Sequence, residues 1–383
     1  MRQPPPLTQM LSALIESASV SSTQVHQDMS NLPVCTLLAG WLEDAGFSVN
    51  LMPVEGHAGK FNIIGTLGQG EGGLVLAGHT DTVPWDEGRW QHDPFKLTET
   101  HDRYYGLGTS DMKSFLALAI EASRAFEKQS FKKPLIILGT ADEETSMSGA
   151  HALCAADLGR SRYAVIGEPT GLKPVRQHKG ILMESIALTG QSGHSSDPAY
   201  GNSALEGMHE VMQALIEFRQ QLQKNHHNDA FRVPVPTMNF GHICGGDNPN
   251  RICPDCELQL DLRPLPGMCV AVLRQDIRRI STDIALRRGL TVDFKALFAG
   301  IDAMNTNAAS DIVIAVEQLT ASDCETVAFG TEGPLLNQLG VDTVVLGPGD
   351  IAQAHQPDEY LLLERIPPTL GLLKSLIHRF CIQ

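Results

Sequence analysis

The sequence is poor in aromatic residues, cysteine and positive charge. Aromatic side chains fill 5% of its 383 positions, and Lys+Arg number 29 against 44 Asp+Glu, a net charge of −15. Such a surface repels phosphate backbones and anionic headgroups, which excludes nucleic acid and membrane surfaces as natural partners. No apolar run approaches the roughly 18 residues of a membrane-crossing helix. The opening Met1-Arg2-Gln3-Pro4-Pro5-Pro6 lacks the apolar stretch of a secretion signal, so a cytoplasmic protein is expected. Its eight cysteines are then expected to be reduced core thiols rather than a disulfide framework. Cys253-Pro254-Asp255-Cys256 has zinc-ribbon spacing but no second pair at a suitable distance, and is read as structural. His226-His227 follows a helical pattern in a polar stretch and is read as a solvated loop.

The composition is that of a folded globular chain, 42% hydrophobic and 19% charged, long enough for two domains or one domain with an insertion. Leu74-Val75-Leu76, Leu135-Ile136-Ile137-Leu138 and Thr343-Val344-Val345-Leu346 are continuous apolar runs, as expected of strands buried on both faces. They alternate with helical patterns at Leu7 to Glu16, Val34 to Glu43 and Ser114 to Phe126. The expectation is an α/β domain, a sheet with helices on both faces, formed by residues 1–176 and 298–383. Residues 177–297 change to a strand, helix, strand, strand, helix, strand order, the pattern of an inserted ferredoxin-like α+β module.

Acids and histidines fall just past the predicted strands. The run from Leu74 leads into His79-Thr80-Asp81, that from Leu135 into Asp142-Glu143-Glu144, that from Ala164 into Glu168, and that from Val344 into a loop holding His355. In open α/β sheets ligands bind outside the carboxyl ends of the strands. Gly106-Leu107-Gly108-Thr109-Ser110-Asp111 adds a carboxylate before the Ser114 helix. Each element alone is an ordinary turn; five converging on one sheet edge point to a polynuclear metal site.

Two imidazoles and three carboxylates are donors for zinc, cobalt or manganese. They exceed the three protein ligands of a single catalytic zinc, and two ions sharing Asp111 as a bridge use all five. An ion pair about 3.5 to 4 Å apart lowers the pKa of a bound water toward neutrality. Glu143 and Glu144 are adjacent, so in an extended segment they point apart. One is a ligand and the other is free to act as general base. Asp81, two residues past His79, is expected to hold the imidazole in orientation.

Gly78-His79-Thr80-Asp81-Thr82-Val83-Pro84, Gly106-x-Gly108-x-x-Asp111-Met112-Lys113, Asp142-Glu143-Glu144, Gly167-Glu168-Pro169-Thr170 and Gly190-x-x-x-His194-Ser195-Ser196 resemble, in order, successive motifs of the dizinc amidohydrolase superfamily. That superfamily contains aminoacylase, glutamate carboxypeptidase and succinyl-diaminopimelate desuccinylase. The resemblance covers nearly the whole chain and implies an N-acyl-amino-acid hydrolase with two zinc ions per subunit, for which cobalt can substitute. It implies His79 and Glu168 on one ion, Glu144 and His355 on the other, Asp111 bridging and Glu143 as base. It also implies a cis peptide after Asp111. Glu168, where aminotripeptidase relatives commonly carry Asp, favours a deacylase or carboxypeptidase.

For the inserted module the resemblance implies a lid that forms a homodimer. His194 would reach the partner's site and stabilise the oxyanion, while Asn250 and Arg263 would bind the substrate carboxylate. Thr331 and Glu332 are expected at the substrate, Glu332 attracting an ammonium group on its side chain. A catalytically silent homologue that uses the lid for binding is the contrasting expectation.

Overall fold

Leu74–His79 and Leu135–Thr140 are buried at every position, which requires cover on both faces of the sheet they share. The structure is a computed structural model and describes residues 3–127 and 129–383. Across the sheet the strands run Ser48–Pro53, Phe61–Leu67, Leu135–Thr140, Leu74–His79, Tyr163–Ile166 and Asp342–Val345. The last four are mutually parallel, so their carboxyl ends lie along one edge. The first two form an antiparallel hairpin on the flank, absent from the sequence reading. Its outer strand is exposed or half-buried throughout and carries no continuous apolar run.

The helix Lys113–Ser123 is buried at all but one of its residues and packs against Leu7–Glu16 and Ile366–Ile377. Its approach to the sheet is close enough to need Gly167, where an added Cβ would lie 1.9 Å from the ring of Phe115.

The chain divides into two compact units. The first comprises the chain up to Arg176 with Thr306–Glu325 and Thr331–Gln383; the second comprises Gln177–Asn305 with Thr326–Gly330. The second unit therefore runs past the expected end at residue 297. After its last long strand, Ile301 bridges Ile181 and Met304–Asn305 pairs with Gln177 and His178. A two-residue strand is too short to leave a periodic signal in the sequence.

Within the second unit four antiparallel strands lie in the order Thr237–Gly245, Asp255–Arg263, Leu182–Thr189 and Thr291–Ala296. The helices Ala204–Asn225 and Val270–Arg288 pack on them through an apolar core that includes Leu188, Val211, Leu258 and Ile277. Ser203 caps the first helix by accepting from the Glu206 N–H, and Gly289 ends the second in the left-handed conformation. All eight cysteines are free. Cys154, Cys244 and Cys269 are exposed, so the expectation of core thiols fails for three of them. Among the described residues no helix is long and apolar enough to cross a membrane.

Gly167→Ala forces the Phe115 ring to shift and is expected to destabilise the protein by about 1–3 kcal/mol. Urea unfolding measures this, and an unchanged midpoint would show that the helix does not press on this strand.

Candidate metal centre

His79 ends its strand with its side chain 1% exposed. Its Nδ1 lies 3.0 Å from the main-chain carbonyl of Asp81, so that nitrogen is the donor. The other ring nitrogen, Nε2, faces Asp111 Oδ1 at 3.1 Å and Glu168 Oε1 at 3.8 Å. His355 Nε2 lies 3.1 Å from Glu144 Oε2 and 3.6 Å from Asp111 Oδ2. Asp111 thus stands between the two imidazoles, each carboxylate oxygen facing one of them. The Asp111–Met112 peptide is cis.

The electrostatics are those of crowded carboxylates. Burial, with the charge of Glu168, raises Glu143 well above the usual carboxylate range; burial, with the charge of Asp111, does the same to Glu168. Glu144 is raised by burial and by Asp111. Asp111 is lowered: against burial, the hydrogen bond and charge of His79 favour its ionised form. Burial opposes charge on His79, yet Asp111 and Glu168 lift it well above its ordinary value. The hydrogen bond to Glu144 pushes His355 up to about 9.

Two sets of donor atoms lie mutually within 4.8 Å: His79 with Glu143 and Glu168, and His79 with Asp111 and Glu144. Glu144 Oε1 is buried without a hydrogen-bond partner. A nitrogen and oxygen donor set, a surplus of negative charge and an orphaned carboxylate oxygen all fit divalent cations. The structure brings together all five expected ligands and also draws Glu143 into donor range.

Asp81 departs from its expected role. Its carboxylate is 3.8 Å from His79 Nδ1, and its two oxygens instead accept from the N–H groups of Glu143 and Glu144 at 3.2 Å each. The backbone of Asp81 orients the imidazole while its side chain orients the two glutamates.

Thr331 and Glu332 are both buried. Thr331 is fully buried and accepts from the Gly333 N–H at the start of helix Gly333–Gln338. Glu332 is 2% exposed, accepts from Thr140 Oγ1 at 2.9 Å and leaves Oε1 buried without a partner. Burial pushes it up to about 7. Its charge acts on Glu143 and His79, so this carboxyl borders the centre with one oxygen unused.

In the second unit, His194 is exposed and its Nδ1 accepts from the Ser196 N–H at 3.2 Å, which puts the ring proton on Nε2. Asn250 is its neighbour: its carbonyl accepts from Ser195 N–H at 3.1 Å, and Arg251 bridges His194. Arg263 is elsewhere. It ends the nine-residue strand that begins at Asp255, about 27 Å along at ~3.4 Å per residue. Its guanidinium fork already holds Asp261, with Nε and Nη2 at 2.8 and 2.9 Å from the two oxygens. Residues two apart on a strand share a face, which explains the pair. The structure therefore does not bring Asn250 and Arg263 of one chain to one carboxylate.

The sequence reading missed Glu359. It is buried four residues past His355 and accepts from the N–H groups of Gly108, Ser110 and Asp111.

With this geometry in hand, comparison with known proteins is informative. The model of peptidase family M20/M25/M40 matches residues 75–379. Acetylornithine deacetylase of Pasteurella multocida is 49% identical over 381 residues, covering the whole of both chains. The enzyme of the same name from Edwardsiella ictaluri is 49% identical over 379 residues, 99% of each. Among solved structures, an M20 family metallo-carboxypeptidase from Sulfolobus solfataricus superposes with a TM-score of 0.75 over 97% of this chain and 98% of that one, at 16% identity.

Raised carboxyls bind protons that a cation must displace. Each contributes stability fully present below its ordinary value near 4.5 and lost as pH rises through its folded value, about 7 for Glu332 and higher than 4.5 for Glu143, Glu144 and Glu168. The metal-free protein is therefore expected to lose this contribution between pH 5 and 8. Added zinc is expected to raise the melting temperature more at pH 8 than at pH 6. Equal shifts at the two pH values would show that cations do not compete with protons at this centre.

Proposed function

The chain belongs to peptidase family M20/M25/M40, and on that premise we propose that it is a metal-dependent hydrolase that removes the acetyl group of N2-acetyl-L-ornithine, giving L-ornithine and acetate in arginine biosynthesis. The observation that carries the chemistry is the convergence of His79, Asp111, Glu144, Glu168 and His355 at one sheet edge. Full-length identity of 49% to two acetylornithine deacetylases supports the substrate.

In this reading His79 and Glu168 would hold one zinc ion and Glu144 and His355 a second, with Asp111 available to both; cobalt is an alternative occupant. Bound there, such ions would supply Lewis acidity to the acyl carbonyl and lower the pKa of water toward neutrality. Glu143 takes the proton of the attacking water, and burial makes it a stronger base than an exposed glutamate. It returns that proton to the α-nitrogen as the C–N bond breaks. Asp81 keeps Glu143 beside Glu144 through its two N–H contacts, so the base and its neighbouring ligand move as one piece. The Nδ1–H bond to the Asp81 carbonyl fixes the tautomer in which Nε2 of His79 is the donor atom to the ion.

We place the protein in the cytoplasm as a homodimer in which His194 of one subunit donates from Nε2 to the oxyanion in the other. Exposure of His194 and its Ser196 contact support that role. Asn250 of the partner subunit and Arg263 of the same one as the site would share the substrate carboxylate, Arg263 exchanging Asp261 for it.

Glu143→Ala is expected to retain zinc while losing turnover by about 10²–10⁴-fold, the usual contribution of a general base; His79→Ala is expected to lose both. Zinc analysis beside ornithine release from N2-acetylornithine, with N-succinyl-diaminopimelate, N-acetylmethionine and a chelated control, checks this. Preference for another substrate overturns the substrate alone, whereas turnover that survives chelation overturns the metal mechanism. Mixing inactive Glu143→Ala and His194→Ala subunits is expected to restore activity, because a mixed dimer contains one intact site. Restoration in neither direction would remove His194 from the partner's reaction.

A further inference from the structure

Glu359 is 1% exposed, and its charge is felt by the buried Lys113 and by His355. Its carboxylate is spent on the main chain of one loop. Oε1 accepts from Gly108 N–H at 3.1 Å, Ser110 N–H at 2.7 Å and Asp111 N–H at 3.0 Å, and Oε2 takes a second contact from Gly108 at 3.2 Å. The backbone carbonyl of Glu359 accepts from Gly106 N–H at 3.0 Å. A second tie joins the same two segments: Ser110 Oγ accepts from Asp350 N–H at 2.9 Å and donates to the Asp350 carbonyl at 3.3 Å.

One segment, Gly106 to Asp111, carries the carboxylate that stands between the imidazoles. The other, Asp350 to Glu359, carries His355. We propose that Glu359 is a positioning residue that latches these two segments together and so sets Asp111 against His355 at the 3.6 Å separation seen here. This rests on the assignment of Asp111 and His355 as metal ligands.

Three loop N–H groups converge on a single oxygen, and without an acceptor they would be buried and unsatisfied. Oε1 accepts from all three; burial and the charge of Asp111 push Glu359 up to about 8, and the three N–H bonds oppose that rise by favouring the ionised form. Glutamine keeps one such oxygen but turns an NH2 toward Gly108, a donor against a donor. Aspartate keeps the charge but withdraws it by one methylene, out of reach of at least part of the loop. The latch acts on where the Asp111 carboxylate lies, and hence on the ion site, without touching substrate.

The test uses the full-length protein as wild type, Glu359→Gln, Glu359→Asp and the reference Asp111→Asn. Zinc affinity is measured by calorimetry, the visible absorption of the cobalt-loaded protein reports coordination, and kcat, KM and melting temperature complete the comparison. Both Glu359 variants are expected to bind the more weakly held ion about 10- to 100-fold less tightly. Their kcat is expected to fall with that affinity, KM to stay within about twofold, and the cobalt spectrum to shift. A variant with wild-type affinity, spectrum and kcat, even if its melting temperature drops, overturns the latch and leaves Glu359 a purely structural group. Should one variant not fold, the other decides by the same readouts. If Asp111→Asn binds metal as wild type does, the ligand assignment itself fails, an outcome distinguishable from failure of the latch.

Discussion

Buried negative charge is the constraint around which the first unit is organised. Carboxylates are costly to remove from water unless they are paired or hydrogen bonded. Asp81, Asp111, Glu168, Glu332 and Glu359 are all buried, with Glu143 and Glu144 beside them. They divide by how that cost is met. Asp81 and Glu359 are satisfied by main-chain N–H groups, and one oxygen of Glu332 by a threonine hydroxyl, the other having no partner. Asp111, Glu144 and Glu168 meet mainly two imidazoles and one another, and Glu144 keeps an oxygen to spare. The division separates groups that hold the centre in place from groups that can take an ion.

The fold supplies this arrangement through parallel strands. Strands that share a direction end together, so four separate segments deliver side chains to one edge. Strand ends also release backbone N–H groups from the ladder. Those of Glu143 and Glu144, just beyond the strand Leu135–Thr140, are taken up by Asp81 from the neighbouring strand's end. Register and site geometry are therefore one problem, since a slipped strand would move a ligand and its supporting acceptor together.

Much of this was legible in the sequence for the same reason. A strand buried on both faces writes a continuous apolar run, and Leu74-Val75-Leu76 followed by His79 states both the strand and its ligand. Local signals failed where a side chain's environment comes from distant chain. Gly-Thr-Glu-Gly around Thr331 and Glu332 reads as a turn, yet it leads into the short helix Gly333–Gln338, and Glu332 contacts Thr140, 192 positions away. Glu359 reads as one more polar loop residue, because its partners lie some 250 positions earlier. Asp81 sits where a partner for His79 belongs, and only coordinates distinguish its carbonyl from its carboxylate.

The second unit poses a geometric question that bears on assembly. His194 and Asn250 are joined near the start of the strand Asp255–Arg263, whereas Arg263 stands at its far end. A small substrate cannot bridge about 27 Å, so both ends of one sheet cannot close on the same molecule. An isologous pairing of two copies would remove the difficulty, since the two ends of the sheet would then serve different substrate molecules. If all three residues contact substrate, the arrangement requires two chains, and a monomer would have to leave either the His194 end or the Arg263 end without work.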